Sequence, residues 1–424
     1  MLVLGLVIIF GLLFLGVPLF VCFVTGGSVL NTLYAGAPLA NVAHMMFSAL
    51  DSYVLMAVPF FILAGMLMGK GGLSRSLVDF IDSLIGHVPG GLGIVLIVST
   101  MLFGAMTGSG TAAVAAIGII IVPRMLELGY DKKFCLGLIA ASAQLGVLIP
   151  PSIPMILFGS LTETPIADLF MAGLIPGIMI GVMLMIASGI ICWRNKWGIH
   201  PSASWGERGR SFVKALPILF MPVLILGGIY TGTFTPTEAS LIATLYAAVA
   251  GLATRTLSPK AIMEGGKDTL RTTGMIFLLV CSVIIFGRIM SYARIPHMLT
   301  SLVVGLDVSL PIFLLVIMVF YILIGFFAEV IIITYVTVPI LFGVVCTVMG
   351  VHPYQYAVIM TTAVVLAATT PPVGVNLYLT SGLFKAPLED VIKGVIPFMI
   401  VLLIGMIICT YVPALSTWLP SLMR

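Results

Sequence analysis

The chain has 424 residues, 61% hydrophobic and 8% charged, with 19 basic and 15 acidic side chains and a net charge of +4. Its mean hydropathy is +1.25. So few charges cannot clothe a soluble core, and the slight basic balance gives no reason to expect nucleic acid. What remains is an all-α polytopic membrane protein, since helices satisfy their own backbone in hydrocarbon.

Residues 2–25 are almost continuously apolar, with no Lys or Arg ahead of them and no convincing small-residue cleavage pattern. They are expected as a retained first span, not a removable leader. Apolar runs follow at 52–69, 91–106, 112–122, 134–149, 152–160, 166–193, 212–231, 238–254, 273–290, 308–328, 330–349, 355–369, 374–384 and 391–413. A helix needs about 20 residues to cross about 30 Å of hydrocarbon, so 112–122 reaches about half way. Short pieces between glycines and prolines predict re-entrant hairpins and broken helices, tolerated at membrane depth where protein buries them or a watery cavity meets them. The mixed-polarity stretch Gly72–His87 (GLSRSLVDFIDSLIGH) suits an amphipathic helix at the interface. Six cysteines (Cys22, Cys135, Cys192, Cys281, Cys346, Cys409) lie singly in apolar stretches and read as small packing residues.

The chain holds two Pro-Pro pairs, Pro150-Pro151 and Pro371-Pro372, 221 positions apart. Gly104 with Gly325, Gly129 with Gly350, and Pro176 with Pro397 keep that offset, and Pro165 with Pro387 and Asp168 with Asp390 follow at 222. This predicts two related halves, each with a hairpin-like segment followed by a proline-broken helix. Basic residues cluster in Arg194–Lys214 and Arg255–Arg271, which places both on the cytoplasmic side. The helix through Pro176 ends at the first cluster, whereas its counterpart through Pro397 ends at Tyr411–Met423 without a basic residue. The halves are therefore expected to be inverted. With no Lys or Arg in the first 69 residues, both termini are expected outside the cytoplasm.

Inverted repeats with broken helices are a pattern of secondary transporters. Proline lacks an N–H, so the carbonyls of Gly146 and Val147 lose their usual donors at the first pair, and those of Ala367 and Ala368 at the second. A dehydrated cation such as Na⁺ is one suitable partner for such carbonyls. Proline also suits a first helical turn, so each helix can restart after its pair and present free N–H groups to an anion.

The stretch FGAMTGSGTAAVAAIG, Phe103–Gly118, offers a complementary surface: glycines permit close approach, and Thr107, Ser109 and Thr111 supply hydroxyls. The same small residues would also serve tight helix packing. Glu329 reads either as a carboxylate for ion or proton coupling or as one satisfied at a helix N-terminus. Asn376 reads either as a hydrogen-bonding group for cargo or as a partner for freed backbone. Glu238 in TPTEAS looks like a capping residue for a helix opened by Thr235 or Thr237. The histidines His44, His87, His200, His297 and His352 are isolated, and neither HExxH nor GxxxxGK[ST] occurs, so a metalloprotease and an ATP-driven pump lack their residues.

Taken together, PFFILAGMLMGKGGLS (Pro59–Ser74), GHVPGGLG (Gly86–Gly93), LIPPSIPMILFG (Leu148–Gly159), LFMAGLIPG (Leu169–Gly177), GGIYTGTFTPTEAS (Gly227–Ser240) and TPPVGVNLYLTSG (Thr370–Gly382) resemble the large membrane subunit, M or DctM, of tripartite ATP-independent periplasmic (TRAP) transporters. The likeness extends over essentially the whole chain. It implies an elevator-type secondary transporter of the bacterial inner membrane, with Na⁺ as coupling ion and not as a prosthetic group. It further implies a separate four-helix Q subunit, since no Q-like extension precedes Met1, and a soluble periplasmic substrate-binding protein. The cargo class is a small organic acid such as sialic acid, a C4-dicarboxylate or a keto-sugar acid. Two departures stand out: the first tip reads Thr107-Gly108-Ser109-Gly110-Thr111 where the family has a Ser-Gly-Ser type sequence, and Val330 follows Glu329 where a proline or threonine can stand.

The expected division is scaffold helices and an interfacial arm in 1–90, a transport half in 91–193, basic loops and scaffold in 194–307, a second transport half in 308–413, and a tail in 414–424. Expected Na⁺ positions are Gly108, Ser109, Gly146, Val147 and Pro150 for one site, and Gly325, Ala367, Ala368, Thr369 and Thr370 for the other. Expected cargo positions are Thr107, Thr111, Ser152, Glu329, Gly374 and Asn376. A self-sufficient Na⁺- or H⁺-coupled dicarboxylate transporter and an intramembrane enzyme are the competing readings; no catalytic residue is assigned.

Overall fold

Apolar residues in hydrocarbon must pair every backbone group within the segment, and the computed structural model is built accordingly. It describes residues 2–34, 36–197, 202–326, 328 and 330–423, with every side chain among them except those of Leu2, Val3 and Leu6. All regular elements among these residues are helical, and nine helices are long and apolar enough to cross a membrane.

The first is α1 (Leu2–Phe14), followed by α2 (Leu19–Leu33). The expected single span over 2–25 is thus divided. Gly16 takes a positive φ of 77° and Pro18 caps α2, so the chain doubles back, Gly5 meeting Leu30 and Gly26 meeting Ile9. Next come α3 (Ala40–Leu50), α4 (Ala57–Lys70) and α5 (Leu73–Ile85). As its pattern predicts, α5 is amphipathic: Leu73, Leu77, Val78 and Ile81 are buried, while Arg75 and Asp79 are exposed.

A hairpin follows, formed by α6 (Gly91–Thr107), α7 (Gly110–Ala113) and α8 (Ile119–Glu127), with a π-helical turn at Val114–Gly118. Its second arm is longer than the apolar run 112–122, because the helix continues past Pro123. Then α9 (Lys132–Ser142), α10 (Leu145–Leu148) and α11 (Ile153–Thr162) form an interrupted span whose apolar stretch is wholly buried. The long α12 (Ile166–Asn195) closes this region. The middle of the chain contributes α13 (Trp205–Tyr230), α14 (Pro236–Ala253), α15 (Pro259–Tyr292) and α16 (Ile295–Gly305). Thr235 opens α14 with a capping box to Glu238, the expected structural role.

The second hairpin is α17 (Leu310–Gly325) and α18 (Val330–Phe342), with a π-helical turn at Gly343–Val348. After it come α19 (Pro353–Ala367), α20 (Val375–Leu383), α21 (Leu388–Tyr411) and α22 (Ala414–Leu422). The expected tail is therefore a helix, which buries Ser416 and Pro420 and packs against α12.

The order hairpin, interrupted span and long closing helix runs through α6–α12 and again, in fewer separate helices, through α17–α21. In each, a glycine of positive φ (Gly129, Gly350) precedes a helix capped by a side chain (Asp131, His352). Each long closing helix starts at a proline (Pro165, Pro387) and contains another (Pro176, Pro397). Both Pro-Pro peptide bonds are cis. The two regions also interlock: α9 lies on α21 so closely that a Cβ on Gly394 would stand 1.8 Å from the Lys133 carbonyl oxygen.

Candidate functional site

The two hairpin tips and the two helix breaks converge on one cavity of about 860 Å³. The first tip forms because α6 ends at Gly108, whose φ of 62° lets the chain reverse while its N–H returns to the Gly104 carbonyl at 2.7 Å. A side chain there would press on the Pro151 carbonyl and Ile153, each 3.1 Å away, so the tip rests on the first break. Within the tip, Ser109 caps α7, its Oγ accepting from the Ala112 N–H at 3.4 Å and sharing a 3.0 Å hydrogen bond with Thr111 Oγ1. Thr107 Oγ1 donates within the tip, and its side chain abuts Gly65 of α4.

At the first break, Ile149–Ser152 run between α10 and α11, and Ser152 Oγ donates to the Val147 carbonyl at 2.5 Å. At the second, the Ala367 carbonyl accepts from the Thr370 N–H at 3.0 Å and the Ala368 carbonyl from the Asn376 N–H at 3.2 Å. The expectation that proline leaves Val147, Ala367 and Ala368 without donors is thus corrected: the chain folds back to supply them. Each carbonyl keeps a second lone pair, so cation ligation is still chemically open to it. The restart positions also differ from expectation. Pro154, not Pro151, occupies the first turn of α11, and α20 begins four residues after Pro371, at Val375, with Gly374 as its cap at a positive φ of 35°.

Of the expected positions, Thr107, Gly108, Ser109, Thr111 and Val147 line the cavity from the first half, and Gly325, Ala367, Ala368 and Gly374 from the second. Gly146, Pro150, Thr369 and Thr370 do not line it. Gly146 is pressed against Gly104, and both threonines donate to the Leu366 carbonyl, at 2.8 and 2.7 Å. Ser152 and Asn376, expected at the cargo, are fully buried off the cavity. Asn376 Nδ2 donates to the Ala140 carbonyl at 3.0 Å, tying α20 to α9. Glu329 lies outside the described residues.

Among the lining residues that the sequence reading missed is Gln144, between α9 and α10. The available signal was a lone carboxamide in AASAQLGVLIPP, an apolar setting where a polar side chain is costly. The opposite wall comes from α2, α4 and α15 and is largely apolar, with Phe20, Met66, Met275 and Leu279 facing in and Thr272 as a polar exception. Among the described residues no group of three or more His, Cys, Asp or Glu could hold a metal ion. The site offers carbonyl and hydroxyl oxygens, hard neutral donors that suit an alkali cation better than a transition metal.

The family model described as "Tripartite ATP-independent periplasmic transporter, DctM component" matches residues 6–415. The chain is 36% identical over 400 residues to the C4-dicarboxylate TRAP transporter large permease protein DctM of Pseudomonas aeruginosa, covering 93% of this chain and 92% of that one. It is 37% identical over 410 residues to the isethionate TRAP transporter permease protein DctMQ of Oleidesulfovibrio alaskensis, covering 95% of this chain and 64% of that longer one. In fold it is similar to the crystal structure of the Alcanivorax borkumensis YdaH transporter, with a TM-score of 0.61 at 13% identity over 86% of this chain and 85% of the other. A polytopic helical membrane protein with this near-complete match is a transporter component and not an enzyme: the chain belongs to the DctM family of tripartite ATP-independent periplasmic transporters.

Proposed function

We propose that this chain is the carrier subunit that moves a small organic acid across the bacterial inner membrane, driven by a Na⁺ gradient, after a soluble periplasmic protein delivers the cargo. The convergence of two hairpin tips and two helix breaks on one cavity carries this reading. Polar groups gather on the tips and breaks, whereas the facing wall is mainly apolar. Such a wall lets one body slide past the other with few hydrogen bonds to break, as elevator-type movement requires. The matching element order supports reading 91–193 and 308–413 as inverted repeats.

In this reading, Na⁺ is held at the first tip by Ser109 with carbonyls around Gly108, Gly146 and Val147, beside Pro150. A second Na⁺ is held near Gly325 by Ala367, Ala368, Thr369 and Thr370. Thr107, Thr111 and Gly374 meet the cargo. A small Q subunit stands beside the chain as a separate partner; the name DctMQ of one relative supports such an association. The basic clusters Arg194–Lys214 and Arg255–Arg271 face the cytoplasm, and both termini face the periplasm.

Reconstitution into proteoliposomes tests the proposal. Uptake of a labelled organic acid that needs the soluble receptor, the small subunit and an inward Na⁺ gradient is the expected result. Uptake without the receptor would overturn the tripartite assignment, and uptake indifferent to Na⁺ would overturn the coupling.

A further inference from the structure

Gln144 is 5% exposed and lines the cavity. Its carboxamide makes no hydrogen bond to the described residues, and its polar atoms are not among the buried ones that lack a partner, which leaves them accessible from the cavity. A Cβ built on Gly110 would stand 2.7 Å from Gln144 Cδ, 2.7 Å from Oε1 and 3.0 Å from Nε2. The near-equal distances mean that the amide lies face-on against the tip backbone, which leaves its edge, with donor and acceptor side by side, for the cavity. Ser109 and Thr111, on the same tip, also line it.

None of the described lining residues is Lys, Arg or His, so an anion in this cavity must be held by neutral donors. A carboxamide is a demanding neutral donor. Nε2–H can serve a carboxylate oxygen, but Oε1 beside it repels a bare carboxylate unless the cargo brings its own donor. We propose that Gln144 is a specificity-determining residue that contacts the cargo and selects a carboxylate carrying a hydroxyl or ammonium on the neighbouring carbon. Nε2 donates to the carboxylate, and the neighbouring group donates to Oε1. The proposal rests on the carrier reading above and narrows its cargo class.

The test uses the reconstituted transporter at saturating Na⁺. Binding is measured for matched pairs of carboxylates with and without the neighbouring donor, such as malate with succinate and lactate with propionate. Wild type is expected to prefer the donor-bearing member by about tenfold or more, the order expected for a hydrogen bond to a buried amide. Gln144→Leu should reduce that preference to less than about threefold while the Na⁺ half-saturation stays unchanged. Gly110→Ala, which displaces the carboxamide without altering its chemistry, should act in the same direction. A preference retained in Gln144→Leu, no preference in wild type, or a shift confined to the Na⁺ half-saturation would each overturn the inference. Na⁺-driven uptake by wild type separates the two levels: its absence overturns the carrier reading as well, and its presence with unchanged preference overturns this inference alone.

Discussion

Gly104 on α6 and Gly146 on α10 meet backbone to backbone: a Cβ on Gly104 would stand 2.4 Å from the Gly146 Cα, and one on Gly146 would stand 2.2 Å from the Gly104 Cα. The same contact recurs 221 positions later, where a Cβ on Gly325 would stand 2.4 Å from the Ala367 Cβ. Each hairpin is thereby seated on the helix just before its proline pair, and this seating brings tip and break to one cavity.

Gly104→Ala and Gly146→Ala should each destabilise the protein by about 1–3 kcal/mol, since backbone on the far side cannot move aside as a flexible side chain would. Gly227→Ala, on α13 with nothing within 4 Å of its Cβ position, should be neutral or slightly stabilising. Thermal unfolding of the detergent-solubilised protein measures both, and equal midpoints for all three variants would contradict the close-contact account.

Ser152→Ala removes the donor that the first break supplies to the buried Val147 carbonyl. A loss of about 1–3 kcal/mol is expected, with Ser152→Thr restoring part of it by keeping the hydroxyl. Thermal midpoints of the two variants against wild type give the answer. A Ser152→Ala protein as stable as wild type would show that another donor takes over.

Ser109→Ala and Pro371→Ala should impair Na⁺-dependent transport more than they impair insertion. The expected pattern is a raised Na⁺ half-saturation or lost uptake, with near-normal amounts of monodisperse protein in the membrane. Parallel loss of folded protein and of transport in both variants would identify these residues as scaffold.

The two regions are tied at opposite ends by unlike contacts. Lys133 on α9 pairs with Asp390 on α21 at 3.4 Å, and 221 positions after Lys133, Tyr354 on α19 donates its hydroxyl to Asp168 on α12. Lys133 is half exposed, so Lys133→Met should cost less than about 1 kcal/mol. Tyr354 is buried and its partner is a carboxylate, so Tyr354→Phe should cost more, about 1.5–3 kcal/mol. Comparison of the two thermal midpoints tests the order; the reverse ranking would refute it.

Much of the site was legible because its signals are local. Two proline pairs in one frame mark the breaks whatever surrounds them, and Gly108 marks a reversal because few other residues adopt its backbone geometry. Other features depended on distant partners. Asn376 was open between cargo and backbone; in the fold its Nδ2 meets the Ala140 carbonyl on α9, while its Oδ1 has no partner among the described residues. Gln144 carried a signal in its polarity alone, yet only Gly110, far along the fold from it, turned that amide into part of a wall. The division of α1 from α2 was partly readable in Gly16 and Pro18, but an apolar run gives no measure of where it turns back.

Composition alone determined that this protein lives in a membrane as helices, since hydrocarbon leaves an apolar chain few other ways to satisfy its backbone. Residue spacing determined where those helices fail, because proline withdraws a donor wherever it stands. The acceptors so released are met locally, by Ser152, Thr370 and Asn376 from five, three and eight residues further along the chain. Only the tertiary structure decided which tip rests on which break: Gly104 meets Gly146 and Gly108 lies against Pro151, contacts between segments distant in sequence whose proximity is not encoded by spacing along the chain.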